Sequence, residues 1–478
     1  MRRKLLLVAN HPAFNKNMLR WAHVLEASGT WQPVVFSTAG SMEGLVGQMG
    51  LRDLSTLYPP PGLGWQDSTA EPNRESAPPP SAIRSRVKSA LPQFLEPMAR
   101  TAYLAVQIRR KTSELRRQVR YVVELLRRER IDAVLLSETS PAYGAPVFVK
   151  AARACGIPVV TTPIDHYGVL DHAELYLTDE VLNANRGLKA AVARRRPRWA
   201  MLHKGRRMIR VRLDLLLAFE WLGWASPKPW HMVGAWEDAI ASTGPAMRDF
   251  YLGEGLPAQQ LRLVGSPELD LMHRVRADAD RLKPALLREL GLDTSKPVIL
   301  TGMVANHYLA GRPDAEYETY EQLVEGWIKP LAALSSHNVV VNLHPSQRVE
   351  DYRYIEQWGV RICQQDITTL IPLSDIYVAC SSTARLAIAC GIPLVYYDVF
   401  RYSDAMPTLN FPNAGGTVMV TTRNALIDVM TRLTGDPVYF ATMRARQEAS
   451  AAHWGTLDGQ SATRLTDLID SLIDAPHE

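Results

Sequence analysis

The apolar positions of this chain fall into short continuous runs separated by stretches of helical periodicity. Residues 4–9 (KLLLVA) form the first run. A polar loop of Asn10, His11 and Pro12 follows, then a helical pattern over 15–28 and a second run at 32–37. Runs that are apolar at successive positions, rather than alternating, predict strands of a parallel sheet covered on both faces. The pattern continues with a strand at 131–136 ending in Ser137-Glu138-Thr139-Ser140. A helix at 142–155 is closed by Gly156, and a strand at 157–162 ends in Pro163-Ile164-Asp165-His166-Tyr167. Residues 90–130 read as helix with a break near Pro97. Residues 58–80 hold PPPG, PN and PPP with few apolar positions, which predicts a surface loop. Residues 238–254 read as helix and 261–264 as strand.

A second series begins at residue 297. Strands are predicted at 297–301, 339–343, 360–363, 376–380 and 392–397, with helices at 317–335, 367–373 and 384–390. A helix pair at 424–434 and 436–452 precedes a C-terminal helix near 460–472. Strand and helix in alternation, with short connections, specify an α/β protein of two doubly wound, Rossmann-like domains. The expected division is 1–235, 236–455 and a C-terminal helix, 456–478, crossing back to the first domain. Residues 183–232 interrupt the pattern and are set as an insertion in the first domain.

Composition narrows the class. The chain has 478 residues, 46% hydrophobic and 22% charged, which excludes a mostly disordered protein. No stretch of about 18 apolar residues is present, so no helix is expected to span a membrane. The start, MRRKLLLVAN, resembles a signal peptide only superficially: its apolar run is residues 5–9, and no small-residue cleavage site follows. Cys155, Cys363, Cys380 and Cys390 form no CxxC pair and are expected as reduced thiols. These features predict a cytoplasmic protein, soluble or peripheral at the inner membrane.

Charge is unevenly spread. Residues 1–230 carry 34 Lys and Arg against 19 Asp and Glu; residues 231–478 carry 20 against 30. The basic excess gathers at 84–130, with thirteen cations and four acids, and at 183–214, with eleven cations and Asp214 alone. Trp199, Trp221, Trp224 and Trp230 lie within or just after the second tract. Such a tract suits an anionic membrane surface, a solvated helix face or an arginine-rich nucleic-acid arm. The apolar run Leu215-Leu216-Leu217-Ala218-Phe219 beside it favours the membrane, and no nucleic-acid partner is expected.

In doubly wound sheets ligands bind beyond the carboxyl ends of the strands, so polar residues there are the candidates. Ser381-Ser382-Thr383 lies between a strand and a helix start, where it could receive a phosphate or simply cap the helix. His344 ends a VVVNL strand and could donate to a phosphate or ribose, or be a satisfied structural histidine. Arg348 follows on the same loop, as a phosphate contact or a solvated cation. Gly302 closes the first strand of the second series. In the first series Glu138, Asp165 and His11 are candidate general bases, and Asn15 and His166 candidate acceptor contacts. A carboxylate in such a place also serves as a loop cap. Motifs for P-loops, zincins, serine hydrolases, zinc sites and dinucleotide binding are absent; no cofactor and no metal are expected.

Three passages resemble the two-domain GT-B glycosyltransferase superfamily. Residues 263–270 (LVGSPELD) are similar to the segment leading into the second domain of many such enzymes and of UDP-N-acetylglucosamine 2-epimerases. Residues 342–345 (NLHP) are similar to a strand end shared by those epimerases and by CDP-glycerol glycerophosphotransferases. Residues 373–376 (LSDI), Ser381-Ser382-Thr383 and 387–393 (AIACGIP) resemble a run of bacterial surface-polysaccharide transferases. The resemblance implies two domains facing across a cleft, with a nucleotide sugar on the C-terminal domain and its phosphate on Ser381, Ser382, Thr383 and His344. It implies an acceptor glycan or glycolipid on the N-terminal half, with Asp165, Glu138 or His11 taking the acceptor proton in a metal-independent transfer. The chain departs from the pattern at Arg385-Leu386-Ala387-Ile388-Ala389, where many relatives carry a Glu that holds the ribose. Ser137-Glu138-Thr139 and Asp165 match the epimerase carboxylates only in part. Transfer is therefore expected ahead of 2-epimerisation, with a non-catalytic polysaccharide assembly protein as a further alternative.

Overall fold

A computed structural model of the chain describes residues 2–9, 12–37, 46–47, 49–59, 96–234, 236–304, 306, 316–344, 346–411 and 414–475. The chain divides into two compact units. One comprises Met1–Ala241, Leu256–Leu261 and Thr466–Glu478; the other comprises Ser242–Gly255 and Arg262–Leu465.

The strands of the first part of the chain are β1 (Arg3–Ala9), β2 (Trp31–Ser37), β3 (Arg52–Asp53), β4 (Ala133–Leu136) and β5 (Val159–Thr161). There follow β6 (Ala200–His203), β7 (Arg206–Ile209), β8 (Ala239–Ser242) and β9 (Leu261–Leu263). Seven of them make one sheet in the order β3-β2-β1-β4-β5-β8-β9, while β6 and β7 form a separate hairpin. β1 pairs in parallel with β2 and β4, and β5 with β4 and β8. The order reverses between β1 and β4, the topological switch point of a doubly wound sheet.

Continuous apolar runs follow from the two-sided burial. Leu6, Val8, Val34, Phe36, Val134 and Leu136 join one core with the helices Glu96–Glu129, Ala145–Ala154 and Leu213–Leu222. Leu5, Leu7, Val35, Leu135 and Val160, one position out of phase, are also fully buried. Successive strand side chains point to opposite faces, so both faces must be covered. Each such side chain contributes about 1.5–3 kcal/mol on burial.

One expectation changes. Residues 238–254 are not one helix: Ala239–Ser242 is strand β8, wholly buried, and the helix Pro245–Gly253 starts only after Thr243 and Gly244. The small residues of AIAS carry no clear period. A place inside the sheet decided their conformation, and Pro245 restarts the chain as a helix. The long helix is described from Glu96 onward, and the expected break near Pro97 bears on residues 90–95, which lie outside the described residues. The loop reading for 58–80 falls, beyond Pro59, outside the described residues.

The strands of the second part are β10 (Val298–Gly302), β11 (Asn338–Asn342), β12 (Arg361–Cys363), β13 (Ile376–Ala379), β14 (Leu394–Tyr397) and β15 (Thr417–Val420). They form a parallel sheet in the order β12-β11-β10-β13-β14-β15, reversing between β10 and β13. One face packs Ile299, Val341, Val378 and Val395 against Leu323, Trp327 and Leu331 of the helix Tyr320–Ala332. The other packs Leu300, Val340, Tyr377 and Leu394 against Leu269 and Met272 of Pro267–Ala277 and Ala387 and Ile388 of Ala384–Ala389.

Glu129 ties the end of the long helix to the sheet. Its buried carboxylate accepts from Arg52 Nη1 (2.6 Å) and Nη2 (3.0 Å), Tyr58 Oη (2.7 Å) and Lys4 Nζ (3.3 Å). An anion at a helix C-terminus opposes the helix dipole, and these donors offset that. Burial by itself would raise this carboxyl; the Tyr58 bond, Lys4 and Arg52 outweigh it and hold the group below its ordinary 4.5. A depressed carboxylate contributes stability that is fully present above the unfolded value and is lost as pH falls through the folded one. Glu129→Gln is expected to lower the free energy of unfolding in urea by about 2 kcal/mol near neutral pH. The gap to wild type should close as pH falls below 4.5; a gap constant with pH would contradict the role of the charge.

Candidate functional site

The C-terminal unit gathers its polar strand ends at the β10/β13 switch point. Gly302, the last residue of β10, pairs with Asn342 of β11. Thr301 is level with Val378 of β13, two residues before Cys380. Beyond β13 the chain turns through Ser381, Ser382 and Thr383. Tyr377, inside β13 and fully buried, donates to or accepts from Thr383 Oγ1 at 2.7 Å, and Thr383 Oγ1 also lies 2.7 Å from Ser381 Oγ. A Cβ built on Gly302 would stand 2.7 Å from Tyr377 Oη. The phenol therefore reaches across the switch point over a glycine and organises the hydroxyls on its far side. Burial pushes its pKa up to about 12 although Thr383 and Ser381 pull it down, so it stays protonated at neutral pH.

This geometry separates two readings of the serine-threonine run. Thr383 occupies the N-cap position of the helix Ala384–Ala389, yet its side chain makes no capping bond. The amides of Ala384, Arg385 and Leu386 are instead taken by the carbonyls of Ser381, Ser382 and Thr383. The threonine hydroxyl is committed to Tyr377 and Ser381. Ser382 is exposed at the turn.

His344 is half-buried beyond β11. Its Nδ1 accepts from the Ser346 amide at 3.2 Å and lies 2.7 Å from Ser346 Oγ, while its own amide donates to Gln347 Oε1 at 2.7 Å. Acceptance at Nδ1 assigns the neutral ring's proton to Nε2, making that edge a donor. Arg348 is three-quarters exposed and 3.6 Å from Glu350. Gly302, His344 and the Ser381–Thr383 run thus stand at the ends of three neighbouring strands, with Arg348 on the rim loop. Asp398, at the end of β14, is buried and accepts from the amides of Tyr402 and Ser403, which makes it a turn cap. Arg385 is buried beside Tyr396, and burial pulls it down to about 9.

In the N-terminal unit Glu138 and Asp165 follow the paired strands β4 and β5. Glu138 is fully buried and caps its own turn by accepting from the Ser140 amide. The loop around it is pinned: Thr139 donates to the buried Glu237 at 3.1 Å, and Ser140 Oγ accepts from Arg210 at 2.8 Å. Asp165 keeps a fifth of its side chain exposed and accepts from the His166 amide at 2.6 Å; His166 is buried, its Nδ1 3.9 Å from Asp165. His11 lies outside the described residues, and of Asn15 only the helical backbone is described.

The basic tract at 183–214 folds as the helix Gly187–Arg195, the β6–β7 hairpin and the start of Leu213–Leu222. Much of its charge is used within the fold. Arg196 and Arg198 pair with Glu220, Lys204 with Glu174, Arg206 with Glu180 and Arg212 with Asp214. Arg210 is fully buried, 5.1 Å over Tyr176 and 5.9 Å from Trp230. Trp199 and Trp230 belong to the core, whereas Trp221 is exposed. Near these elements Arg110, Lys111, Glu114, Arg212 and Asp214 line a cavity of about 190 Å³, whose mixed charges single out no ligand.

Sequence reasoning missed Tyr377 and Arg210. Tyr377 had one usable signal, a hydroxyl-bearing aromatic inside an otherwise aliphatic strand six residues before Thr383. Arg210 had none, being one of eleven cations in the tract.

No protein-family model matches this sequence, and no curated protein matches it by sequence. Solved structures do match it in fold. The calicheamicin glycosyltransferase CalG4 superposes with a TM-score of 0.53 at 14% identity, over 100% of both chains. The UDP-GlcNAc 2-epimerase of Neisseria meningitidis, solved with UDP-GlcNAc, gives 0.52 at 13% identity over 98% of this chain and 100% of that one. MnaA of S. aureus, solved with UDP, gives 0.50 at 12% identity over 100% and 98%. The likeness is one of fold. The chain has the two Rossmann-like domains shared by GT-B glycosyltransferases and UDP-GlcNAc 2-epimerases.

Gly302→Ala tests the switch-point geometry. A methyl there meets the rigid, buried phenol of Tyr377, not the end of a mobile chain. The variant is expected to lose about 1–3 kcal/mol of stability in urea unfolding, and Tyr377→Phe in the same background should recover part of it. A neutral Gly302→Ala would mean that the phenol does not occupy that space.

Proposed function

We propose that the protein is a glycosyltransferase that moves a sugar from a nucleotide-activated donor onto a bacterial surface polysaccharide or glycolipid, at the inner face of the membrane and without a metal ion. The observation that carries this reading is the set of donors at the β10/β13 switch point. Ser382 is exposed, Ser381 and Thr383 are held by a buried protonated tyrosine, and His344 carries its proton on Nε2 two residues beyond the neighbouring strand. Hydroxyl and imidazole donors fixed before the ligand arrives suit a diphosphate whose charge grows as the sugar leaves, because little reorganisation remains to be made. Gly302, having no side chain, admits the Tyr377 phenol that holds these hydroxyls. Arg348, on the rim loop, is the proposed outer contact of the nucleotide.

The N-terminal unit is the proposed acceptor side. Asp165, the partly exposed carboxylate after β5, is the proposed base for the acceptor hydroxyl, with His166 oriented beside it. Glu138 is given the supporting part, since its carboxylate holds the turn that precedes Ser140. A glycosyltransferase and a sugar-nucleotide epimerase both appear among the fold's neighbours. Only the transferase needs an acceptor.

Calorimetry with UDP-, CDP-, CMP- and GDP-sugars tests the reading. One nucleotide class is expected to bind, about tenfold or more weaker in Ser382→Ala and His344→Ala, as for loss of a hydrogen bond to a charged group. Slow donor hydrolysis should fall in Asp165→Asn with binding retained. Absence of binding to every sugar nucleotide overturns the proposal, and a new epimer of the donor in NMR without any acceptor assigns the protein to epimerisation instead.

A further inference from the structure

The helix Glu96–Glu129 has two faces of opposite character. Leu115, Gln118, Val122, Leu125, Leu126 and Glu129 are buried. On the opposite side Tyr103, Val106, Arg110, Ser113, Arg117, Arg120, Glu124 and Arg127 recur at three- and four-residue spacing and are all exposed, flanked by exposed Arg109, Arg116 and Arg128. Glu124 is the one acid among the exposed positions of 101–130. Arg128 lies 4.4 Å over the Tyr58 ring. None of the arginines of this face pairs with a carboxylate among the described residues. At 1.5 Å per residue the stripe from Arg109 to Arg128 is about 30 Å long. Tyr103 and Val106, each 63% exposed, stand on the same face at its N-terminal end.

We infer that this arginine face, and not the 183–214 tract, is the surface by which the protein docks on an anionic membrane. The inference rests on the membrane part of the proposed function and names the element responsible. In the 183–214 tract five cations are paired with four carboxylates and Arg210 is buried, and the remaining charge is divided between a helix and a hairpin rather than aligned on one face. The long helix offers seven guanidinium groups along one side with no carboxylate partner among the described residues. Cations held near an anionic leaflet contribute about 1 kcal/mol each. The tyrosine and valine fit the interfacial layer, where an amphipathic ring and a short aliphatic chain leave water together. The Tyr58 ring that meets this row is already covered by Arg128 and so is not open to stack a base, and the apolar end has no partner on a phosphate backbone; a lipid surface therefore accounts for more of the face than a nucleic acid does.

Flotation with vesicles of equal parts phosphatidylcholine and phosphatidylglycerol tests the inference. The wild-type protein is expected to float with these vesicles and not with phosphatidylcholine alone, less so as salt rises from about 0.1 to about 0.5 M. Replacing Arg109, Arg110, Arg116, Arg117 and Arg120 by Gln should weaken partitioning at least about tenfold, with the thermal midpoint and sugar-nucleotide binding unchanged. Tyr103→Ser combined with Val106→Ser, a second variant with all arginines kept, should weaken it by a smaller factor. Replacing Arg186, Arg194, Arg195 and Arg207 by Gln should change it little. Vesicle binding retained in the first variant and lost in the last overturns the inference and leaves the membrane reading standing. No binding by the wild-type protein overturns both. Binding of a single-stranded oligonucleotide, abolished by the five arginine substitutions, with no vesicle binding assigns the face to nucleic acid.

Discussion

Two-sided burial of parallel strands is the constraint from which the rest of this structure follows. β1, β4, β10, β13 and β14 are apolar at nearly every position because helices cover both faces of their sheets. A sheet so enclosed has no solvated face on which to mount chemistry. Polar groups are pushed to the places where strands end and the chain turns, and the reversal of strand order opens a crevice at one such place in each sheet. The position of the candidate site is thus set by packing before any reactive residue is considered.

Tyr377 is the exception inside that rule. It spends its ring on the core, beside Leu300 and Leu394, and its hydroxyl on the crevice. A buried phenol needs a hydrogen-bond partner, and Thr383 and Ser381 supply the chain of hydroxyls that satisfies it. The same bonds draw Thr383 away from capping its helix. The core and the site share one residue here, so the orientation of the serine-threonine run is fixed by packing rather than by the loop alone. The charge of the N-terminal half is divided in a comparable way. Cations of the 183–214 segment tie its hairpin and neighbouring helices to one another, with Arg210 pinning the Ser140 turn, while those of the long helix remain on the surface.

The architecture was legible because it depends on runs of apolar residues, and those survive in any single sequence: the runs at 4–9, 376–380 and 392–397 hold strands Arg3–Ala9, Ile376–Ala379 and Leu394–Tyr397. Reading failed where local preference and tertiary place disagree. Ala239–Ser242 is made of small residues and became a strand only through its slot beside β5. Of the site, Ser381, Thr383, Gly302 and His344 were legible as polar or special residues directly after strands. The bonds that give them meaning were not, since Tyr377 to Thr383 depends on the register of β10 against β13 and on the absence of a side chain at Gly302. Charge was the least legible feature. A count of cations cannot distinguish Arg198, paired with Glu220, from Arg117, which faces water.

The central claim is that the β10/β13 crevice of the C-terminal unit holds the diphosphate of a sugar nucleotide. A crystal structure with the bound nucleotide tests it most directly. The account predicts phosphate oxygens within hydrogen-bonding distance of Ser382 and of the Ser381–Thr383 turn, with His344 Nε2 directed at the same ligand and the Tyr377–Thr383 bond intact. A nucleotide seated away from that crevice, or a Thr383 hydroxyl turned to cap its helix when the nucleotide is bound, would contradict it.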